Sequence, residues 1–187
     1  MSIAHETVFP DLDEIPIPEG SRYAEIVDGR PVEKPLMGAA TDHLMVCLIM
    51  SMARAGLSNQ GLFFGSTSGY QIFADNPRRV RIPDLSFIRK GRLPGNKPPR
   101  RGYLKIVPDL VVEFVSPNDN AENVEIRLND FLTAGVPLAW MVYPATRHVY
   151  VDHQGTPALR LGPGDTLDGE DVLPGFACPV SELFASL

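Results

Sequence analysis

Two acidic residues stand inside apolar segments of the sequence, where an unpaired charge is costly. Glu113 lies in a near-continuous apolar run at residues 110–115, and Asp84 lies in a strand-like segment at residues 80–89. A carboxylate that is removed from water needs a partner, which is an arginine, a proton or a metal ion. The pattern therefore indicates either a chemical site or a structural ion pair, and leaves both open.

The spacing of these segments predicts how the two acids meet. If residues 80–89 and 109–116 pair as a long antiparallel hairpin, the register that aligns the strand ends also places Asp84 opposite Glu113. Their Cβ atoms then lie about 5 Å apart. Like charges at this distance repel unless a cation lies between them, and carboxylate oxygens suit Mg2+ or Mn2+. We therefore predict that Asp84 and Glu113 are metal ligands.

Two more residues are candidates for the same site. Glu25 lies in a short predicted strand and is either an exposed strand acid or a further metal ligand. Val124 and Phe131 belong to the apolar stripe of the second predicted helix, and Arg127 borders that stripe. From there its side chain can reach along the sheet toward Glu113. There it would stabilise negative charge on a phosphate; the alternative is an arginine whose head group extends into water.

Basic residues are concentrated in one part of the chain. Ten of the 17 Lys and Arg residues fall within residues 78–105, where the only acid is Asp84, although the chain has a net charge of -6. The segment is either a solvated loop or a patch that binds a polyanion. The candidate nucleic-acid-binding residues are Arg89, Lys90, Arg92, Lys97, Arg100, Arg101 and Lys105.

The elements that must position these residues follow from periodicity and turn signals. A hairpin around residues 28–29 precedes a helix at 38–55, and a second helix starts near Pro117 and ends at Gly135. Strands are predicted at 23–27, 30–34, 62–64, 70–73, 80–89, 109–116, 138–143 and 148–152. This order predicts an α/β (α+β) domain, with a central mixed sheet flanked by helices.

Length and composition limit the classes of protein. The 187 residues suit one domain, predicted at residues 21–187 after an extended, acidic N-terminal arm at residues 1–20. Cys47 and Cys178 are far apart, which argues against a zinc site or a disulfide framework. No secretory signal and no apolar run of membrane-spanning length is visible. We therefore expect a cytoplasmic protein that does not contact a membrane.

Three ordered stretches resemble one protein family. They are residues 23–29 with His43 downstream, residues 82–84, and residues 108–117 followed by 134–137 and 140–144. Together they are similar to the Uma-type restriction-endonuclease-like family of bacteria, which is assigned to the PD-(D/E)XK nuclease fold. The resemblance implies a Mg2+ site on adjacent strands, with Asp84 as the motif Asp, Glu113 as the motif acid and Glu25 as the acid contributed early in the chain.

One departure from the family pattern affects catalysis. The lysine expected two residues after the acid is replaced by Val115, and the family's alternative lysine, four residues before an aromatic, corresponds to Arg127 before Phe131. Arginine keeps the charge but is not a base, because its pKa stays above about 12. The leading hypothesis is a Mg2+-dependent endonuclease that hydrolyses phosphodiester bonds in nucleic acid, with DNA preferred.

Two other functions remain open at this point. The first is a catalytically weakened or inactive nuclease-fold module that binds nucleic acid or a protein partner. The second is a structural protein in which the buried acids form ion pairs and bind no ligand. A homodimer is an option for an enzyme that cuts both strands, although no partner surface is visible in the sequence.

Overall fold

The computed structural model describes residues 24–117 and 119–187. The predicted arm at residues 1–20 therefore lies outside the described residues. Within the described ranges, no helix is both long enough and apolar enough to span a bilayer. The strands are β1 (Ala24–Val27), β2 (Arg30–Glu33), β3 (Gly61–Gly65), β4 (Leu85–Arg89), β5 (Leu110–Phe114), β6 (Leu138–Tyr143), β7 (His148–Asp152), β8 (Leu159–Leu161), β9 (Thr166–Asp168) and β10 (Ala177–Pro179). The helices are α1 (Ala39–Arg54), α2 (Ala121–Thr133) and α3 (Val180–Leu183).

Six strands form a mixed sheet in the order β3-β4-β5-β6-β7-β8. All neighbouring pairs are antiparallel except β5 and β6, which are parallel and are joined through α2. A parallel pair needs such a crossover, because a tight turn reverses the direction of the chain and can join only antiparallel strands. Two smaller antiparallel pairs, β1-β2 and β10-β9, complete the fold. The predicted mixed sheet with flanking helices is confirmed.

The sheet packs on both faces, and alternation along each strand decides which side chain faces which layer. Val112 and Phe114 of β5 pack in the layer that includes α1 and α3. Val111 packs in the opposite layer, which includes Val124 and Phe131 of α2. Glu113 has the same parity as Val111 and therefore faces α2, the helix that carries Arg127.

Two predicted boundaries and one predicted strand are wrong. At residues 70–73 only Tyr70 forms isolated bridges, and the segment is not a strand. The strand predicted at 80–89 begins only at Leu85, because the residues before it have other partners. Val80 bridges Ile26, Arg81 bridges Tyr70, and the Ile82 N–H donates to Glu25. Helix α2 begins at Ala121 and not near Pro117. The side chain of Asn120 provides its cap by accepting a hydrogen bond from the Glu122 N–H, a better match to the usual N-cap geometry.

Candidate functional site

Asp84 and Glu113 lie side by side, as the register predicts. Strands β4 and β5 pair Leu85 with Val112, and the same register extended by one residue places Asp84 opposite Glu113. The Oδ2 atom of Asp84 accepts a hydrogen bond of 2.8 Å from the Phe114 N–H. The two acids are buried, at 4% and 0% exposure. Asp84, directly before β4, and Glu113, within β5, thus form a pair of buried carboxylates in the middle of the sheet.

Arg127 donates two hydrogen bonds to Glu113, one from Nε and one from Nη2. Its Nε lies 3.2 Å from Oε1 of Glu113 and its Nη2 lies 3.2 Å from Oε2. This fork-to-fork contact fixes both side chains at once, since the guanidinium is planar and rigid. Because the arginine side chain is only 6% exposed, the alternative of an arginine extending into water is wrong.

Lys34 is a residue of this site that the sequence did not reveal. It directly follows β2, and its Nζ lies 2.7 Å from Oδ1 of Asp84 and 3.6 Å from Oε2 of Glu113. The same ammonium donates a hydrogen bond of 2.7 Å to the backbone oxygen of Ile82. The cation expected between the two carboxylates is therefore present as a lysine side chain.

Glu25 belongs to the same cluster but has different partners. Its Oε2 lies 2.8 Å from Nη1 of Arg81, and its Oε1 accepts a hydrogen bond of 2.9 Å from the Ile82 N–H. Oε1 also lies 3.9 Å from Nε of Arg127. Glu25 is 3% exposed, so the alternative of an exposed strand acid is wrong. Its oxygens hold the backbone beside Asp84 and do not face the Lys34 ammonium.

A second row of ion pairs connects Arg81, the partner of Glu25, to helix α2. Arg81 also contacts Asp130 of α2, with its Nη2 2.7 Å from Oδ2, and Arg79 reaches the other oxygen of Asp130 at 3.0 Å. This row joins β1, the segment before β4, and α2. It fixes the position of α2, and with it that of Arg127, relative to the sheet.

Burial and the neighbouring charges set the protonation states in the site. Burial raises the pKa of Glu113 to about 7, and the nearby Asp84 charge adds to it, although Lys34 and Arg127 oppose the rise. Burial alone would lower the pKa of Lys34, but the charges of Glu113 and Asp84 outweigh it and leave that pKa above its ordinary value. The pKa of Arg127 is raised in the same way, by Glu113 and Glu25 against burial. Lys34 and Arg127 are therefore cations at neutral pH.

The donor set fits one divalent ion with an incomplete protein shell. Among residues 24–117 and 119–187, no group of three or more His, Cys, Asp or Glu side chains is arranged to hold a metal. However, Asp84 and Glu113 direct one oxygen each to the same point, where the Lys34 ammonium lies. Mg2+ in proteins is commonly bound by one or two carboxylates and keeps several waters. The residues therefore fit a hydrated ion at the point where the ammonium is.

Two clefts give solvent access to the cluster. A cavity of about 160 Å³ is lined by Lys34, Asp84, Ser66 and Asp42, among others. A second cleft of about 270 Å³ reaches Glu25 and Arg127. Asp84 therefore lines the first cleft and Glu25 the second, whereas Glu113 is fully buried and lines neither of the two.

The predicted basic residues divide into two groups. Arg92 lies 2.6 Å from Asp109, a buried acid at the far end of β4 and β5 that the sequence analysis did not single out as a partner, and Arg89 lies 3.7 Å from it. Arg89 also donates to the backbone oxygens of Asp171 and Val172. These two arginines therefore have structural partners.

The remaining basic residues lie on an exposed surface. Four of them line a cleft of about 750 Å³ together with several prolines, and within the described ranges none of the four forms an ion pair with an acid. They are Lys97, Arg100, Arg101 and Lys105. Lys90 is exposed as well. We call this surface, lined by Lys97, Arg100, Arg101 and Lys105, the basic cleft.

Comparison with known proteins places the chain in a family. Residues 9–181 match the model of the family described as "Uma2: Putative restriction endonuclease". A solved structure described as "a putative nuclease belonging to DUF820" from Anabaena variabilis ATCC 29413 superposes with a TM-score of 0.80 and 17% identity, covering 94% of this chain and 98% of that one. No curated protein matches the sequence. At this identity the superposition establishes the fold, which is restriction-endonuclease-like. The family match over most of the chain shows that the protein belongs to the Uma2 family of restriction-endonuclease-like proteins.

Proposed function

We propose that this protein is a divalent-metal-dependent endonuclease that hydrolyses phosphodiester bonds in DNA. The observation that carries the proposal is the buried pair of Asp84 and Glu113, held on adjacent strands with Arg127 and Lys34 against it. Two buried acids beside two buried cations are costly to assemble for stability alone, since apolar residues of similar size would often serve as well. Family membership supports a nuclease, and this geometry supports the position of its site.

The residues of the site would have separate roles. Asp84 and Glu113 would hold the ion. When bound, the ion would lower the pKa of a water molecule and polarise the phosphate. Arg127 keeps Glu113 oriented through two hydrogen bonds. As a permanent cation, Arg127 would also stabilise the negative charge that builds on the phosphate. Glu25 positions the backbone at Ile82, beside Asp84.

The basic cleft would hold the substrate away from the site of cleavage. Its four basic side chains are exposed and line one cleft of about 750 Å³. Exposed cations of this kind would bind phosphates of the nucleic acid outside the site of cleavage and make binding depend on salt.

The experiment that tests the proposal compares two buried acids on the same pair of strands. Asp84→Asn removes a proposed ligand, whereas Asp109→Asn removes a carboxylate of similar burial at the other end of β4 and β5. Mn2+ and Mg2+ binding is measured by calorimetry, and cleavage is measured on a panel of duplex DNA, single-stranded DNA and RNA. We expect Asp84→Asn to lose both metal binding and cleavage, and Asp109→Asn to keep both.

Two results would overturn the proposal. One is normal cleavage by a folded Asp84→Asn protein. The other is an equal loss of metal binding in the Asp109→Asn control, which would show that the effect comes from disturbing the strands and not from removing a ligand.

A second candidate function is a nucleic-acid-binding module that does not cleave. It is favoured by the arginine at position 127, where the family pattern has lysine, and by the complete pairing of the buried acids with basic side chains. Arg127→Lys separates the two candidates. Raised cleavage would indicate a weakened enzyme, whereas no cleavage together with unchanged DNA binding would favour the module.

A further inference from the structure

We propose that Lys34 is the cation that Asp84 and Glu113 hold until a divalent ion binds, and that the ion enters by displacing the Lys34 ammonium. The inference rests on the proposed function and deepens it. It assigns to Lys34 a positioning role, since it sets the occupancy and the affinity of the metal site.

The first argument is geometric. Three oxygens surround the ammonium: Oδ1 of Asp84 and the backbone oxygen of Ile82 at 2.7 Å each, and Oε2 of Glu113 at 3.6 Å. Carboxylate and carbonyl oxygens are also the ligands that Mg2+ and Mn2+ prefer. An ion at the usual 2.0–2.1 Å from Oδ1 of Asp84 would lie where the lysine head group is. The two cations therefore compete for the same oxygens.

The second argument is the balance of charge. Three buried acids contact three buried bases in the cluster: Glu25, Asp84 and Glu113 against Lys34, Arg81 and Arg127. Adding a divalent ion to this balanced cluster would leave an excess of two positive charges in a buried place, which is unfavourable. Lys34 is the base that can leave at least cost, because it contacts its acids through a single nitrogen atom, whereas Arg81 and Arg127 each use at least two.

The third argument is that the displaced side chain has somewhere to go. The cavity of about 160 Å³ beside the pair is lined by Lys34 and Asp84, and also by Ser66 and Asp42. Asp42 is exposed and offers a carboxylate to the displaced ammonium. A lysine carries its charge on a flexible four-carbon stem, so the head group can move while the backbone stays in place.

The amine itself provides the first test, because the chain has only four lysines. Lys90, Lys97 and Lys105 are exposed, whereas the side chain of Lys34 is 7% exposed. The wild-type protein is treated with an amine-reactive N-hydroxysuccinimide ester under two conditions, one containing EDTA and the other saturating Mn2+. Modification of each lysine is measured by mass spectrometry. We expect Lys34 to be protected in EDTA and modified at least about tenfold more in Mn2+, with the other three lysines as internal standards.

The second test measures affinity. Lys34→Met removes the competing charge and keeps the apolar stem, and Lys105→Met is the matched control in the basic cleft. A charge-assisted hydrogen bond contributes enough free energy to change an affinity by about tenfold or more. Calorimetry with Mn2+ should therefore show at least about tenfold tighter binding by Lys34→Met and no change for Lys105→Met. Asp84→Asn combined with Lys34→Met should bind no Mn2+.

The outcomes separate this inference from the proposed function. Protection of Lys34 in both states, while Mn2+ binds, overturns the inference and leaves the nuclease proposal intact; so does unchanged affinity of a folded Lys34→Met. Absence of Mn2+ binding in both the wild type and Lys34→Met overturns the inference and the metal-dependent function together. If Lys34→Met does not fold, the labelling of the wild type decides the question alone.

Discussion

Glu113→Gln should change the stability of the protein in a way that depends on pH. Glu113 has 0% exposure and its two oxygens contact Arg127. Glutamine has nearly the same shape and removes the charge, so the substitution isolates the free energy of holding a buried carboxylate ionised. The comparison is made in EDTA, because a bound divalent ion would itself favour the ionised form.

The magnitude follows from the shift of one pKa. Burial raises the pKa of Glu113 from 4.5 to about 7, and each pKa unit corresponds to about 1.4 kcal/mol. Between these values the folded protein keeps a proton that the unfolded chain releases. Wild-type stability therefore falls as pH rises through this window, by about 3 kcal/mol in total, while Glu113→Gln has no such loss. Relative to wild type, the variant should gain stability up to about pH 7 and then stay level.

Chemical denaturation at several pH values measures this difference directly. The free energy of unfolding is determined from pH 5 to pH 8 for wild type, for Glu113→Gln, and for the control Glu125→Gln, an exposed acid on the same helix as Arg127. In a domain of this size, about 3 kcal/mol corresponds to a shift of about 6–12 °C in melting temperature. A difference between Glu113→Gln and wild type that is constant over this pH range would refute the reasoning, as would an equal trend in Glu125→Gln.

Three further predictions follow from contacts of named residues. Arg127→Met should lower the free energy of unfolding in EDTA at pH 8 by about 3 kcal/mol, because it leaves the buried Glu113 carboxylate without its guanidinium partner. Arg127→Lys should lower it less, and equal losses of the two variants in chemical denaturation would contradict this. Gly61→Ala should be strongly destabilising in a thermal melt, since a Cβ there would overlap the backbone oxygen of Ile88; an unchanged melting temperature would contradict the packing. Replacing Lys97 and Arg101 together by glutamine should reduce the slope of log K for DNA binding against log salt by about 2, and a slope unchanged in filter-binding titrations would mean that the basic cleft does not touch phosphates.

The relation between Asp84 and Glu113 could be predicted because it depends on local rules. An apolar run with one acid in it indicates a buried strand with a functional or paired residue, and antiparallel pairing leaves few registers once the strand ends are aligned. The position of Arg127 could be predicted for a similar reason, because helical periodicity fixes which residues border the core stripe. In both cases the spacing within one element carried the information.

Lys34 could not be found in this way. It follows a short hairpin strand, stands between an acid and a proline, and lies 50 residues from Asp84 in sequence. The contact depends on how the β1-β2 hairpin is placed against the sheet, which in turn depends on the bridge between Ile26 and Val80. No periodic pattern records that placement. The only available signal was indirect: two close acids required a cation, and the sequence analysis assigned that place to a divalent metal ion and not to a lysine.

The same kind of contact explains why the basic segment had to be divided. From composition alone, seven basic residues formed one patch. The structure shows that Arg89 and Arg92 hold Asp109, while the four residues of the basic cleft have no such acid among the described residues. Whether an arginine is a structural partner or a surface cation is decided by an acid that lies about twenty positions away in sequence and one strand away in space. Charge counting cannot make that distinction.

The position of Lys34 changes how the missing motif lysine is understood. The motif lacks lysine at position 115 and at position 127, and both absences are visible in the sequence. In space, however, a lysine is present against the same two carboxylates, because Lys34 approaches from the hairpin while Arg127 approaches from α2. The pair of acids is therefore held between two cations of different kinds: the rigid guanidinium of Arg127, which keeps Glu113 oriented, and the ammonium of Lys34, which is carried on a flexible stem. Arg127 keeps Glu113 in position, and displacement of Lys34, as proposed above, would leave a place for an ion. The substitution at position 127 is thus compatible with a working metal site, provided that the amine at position 34 can move.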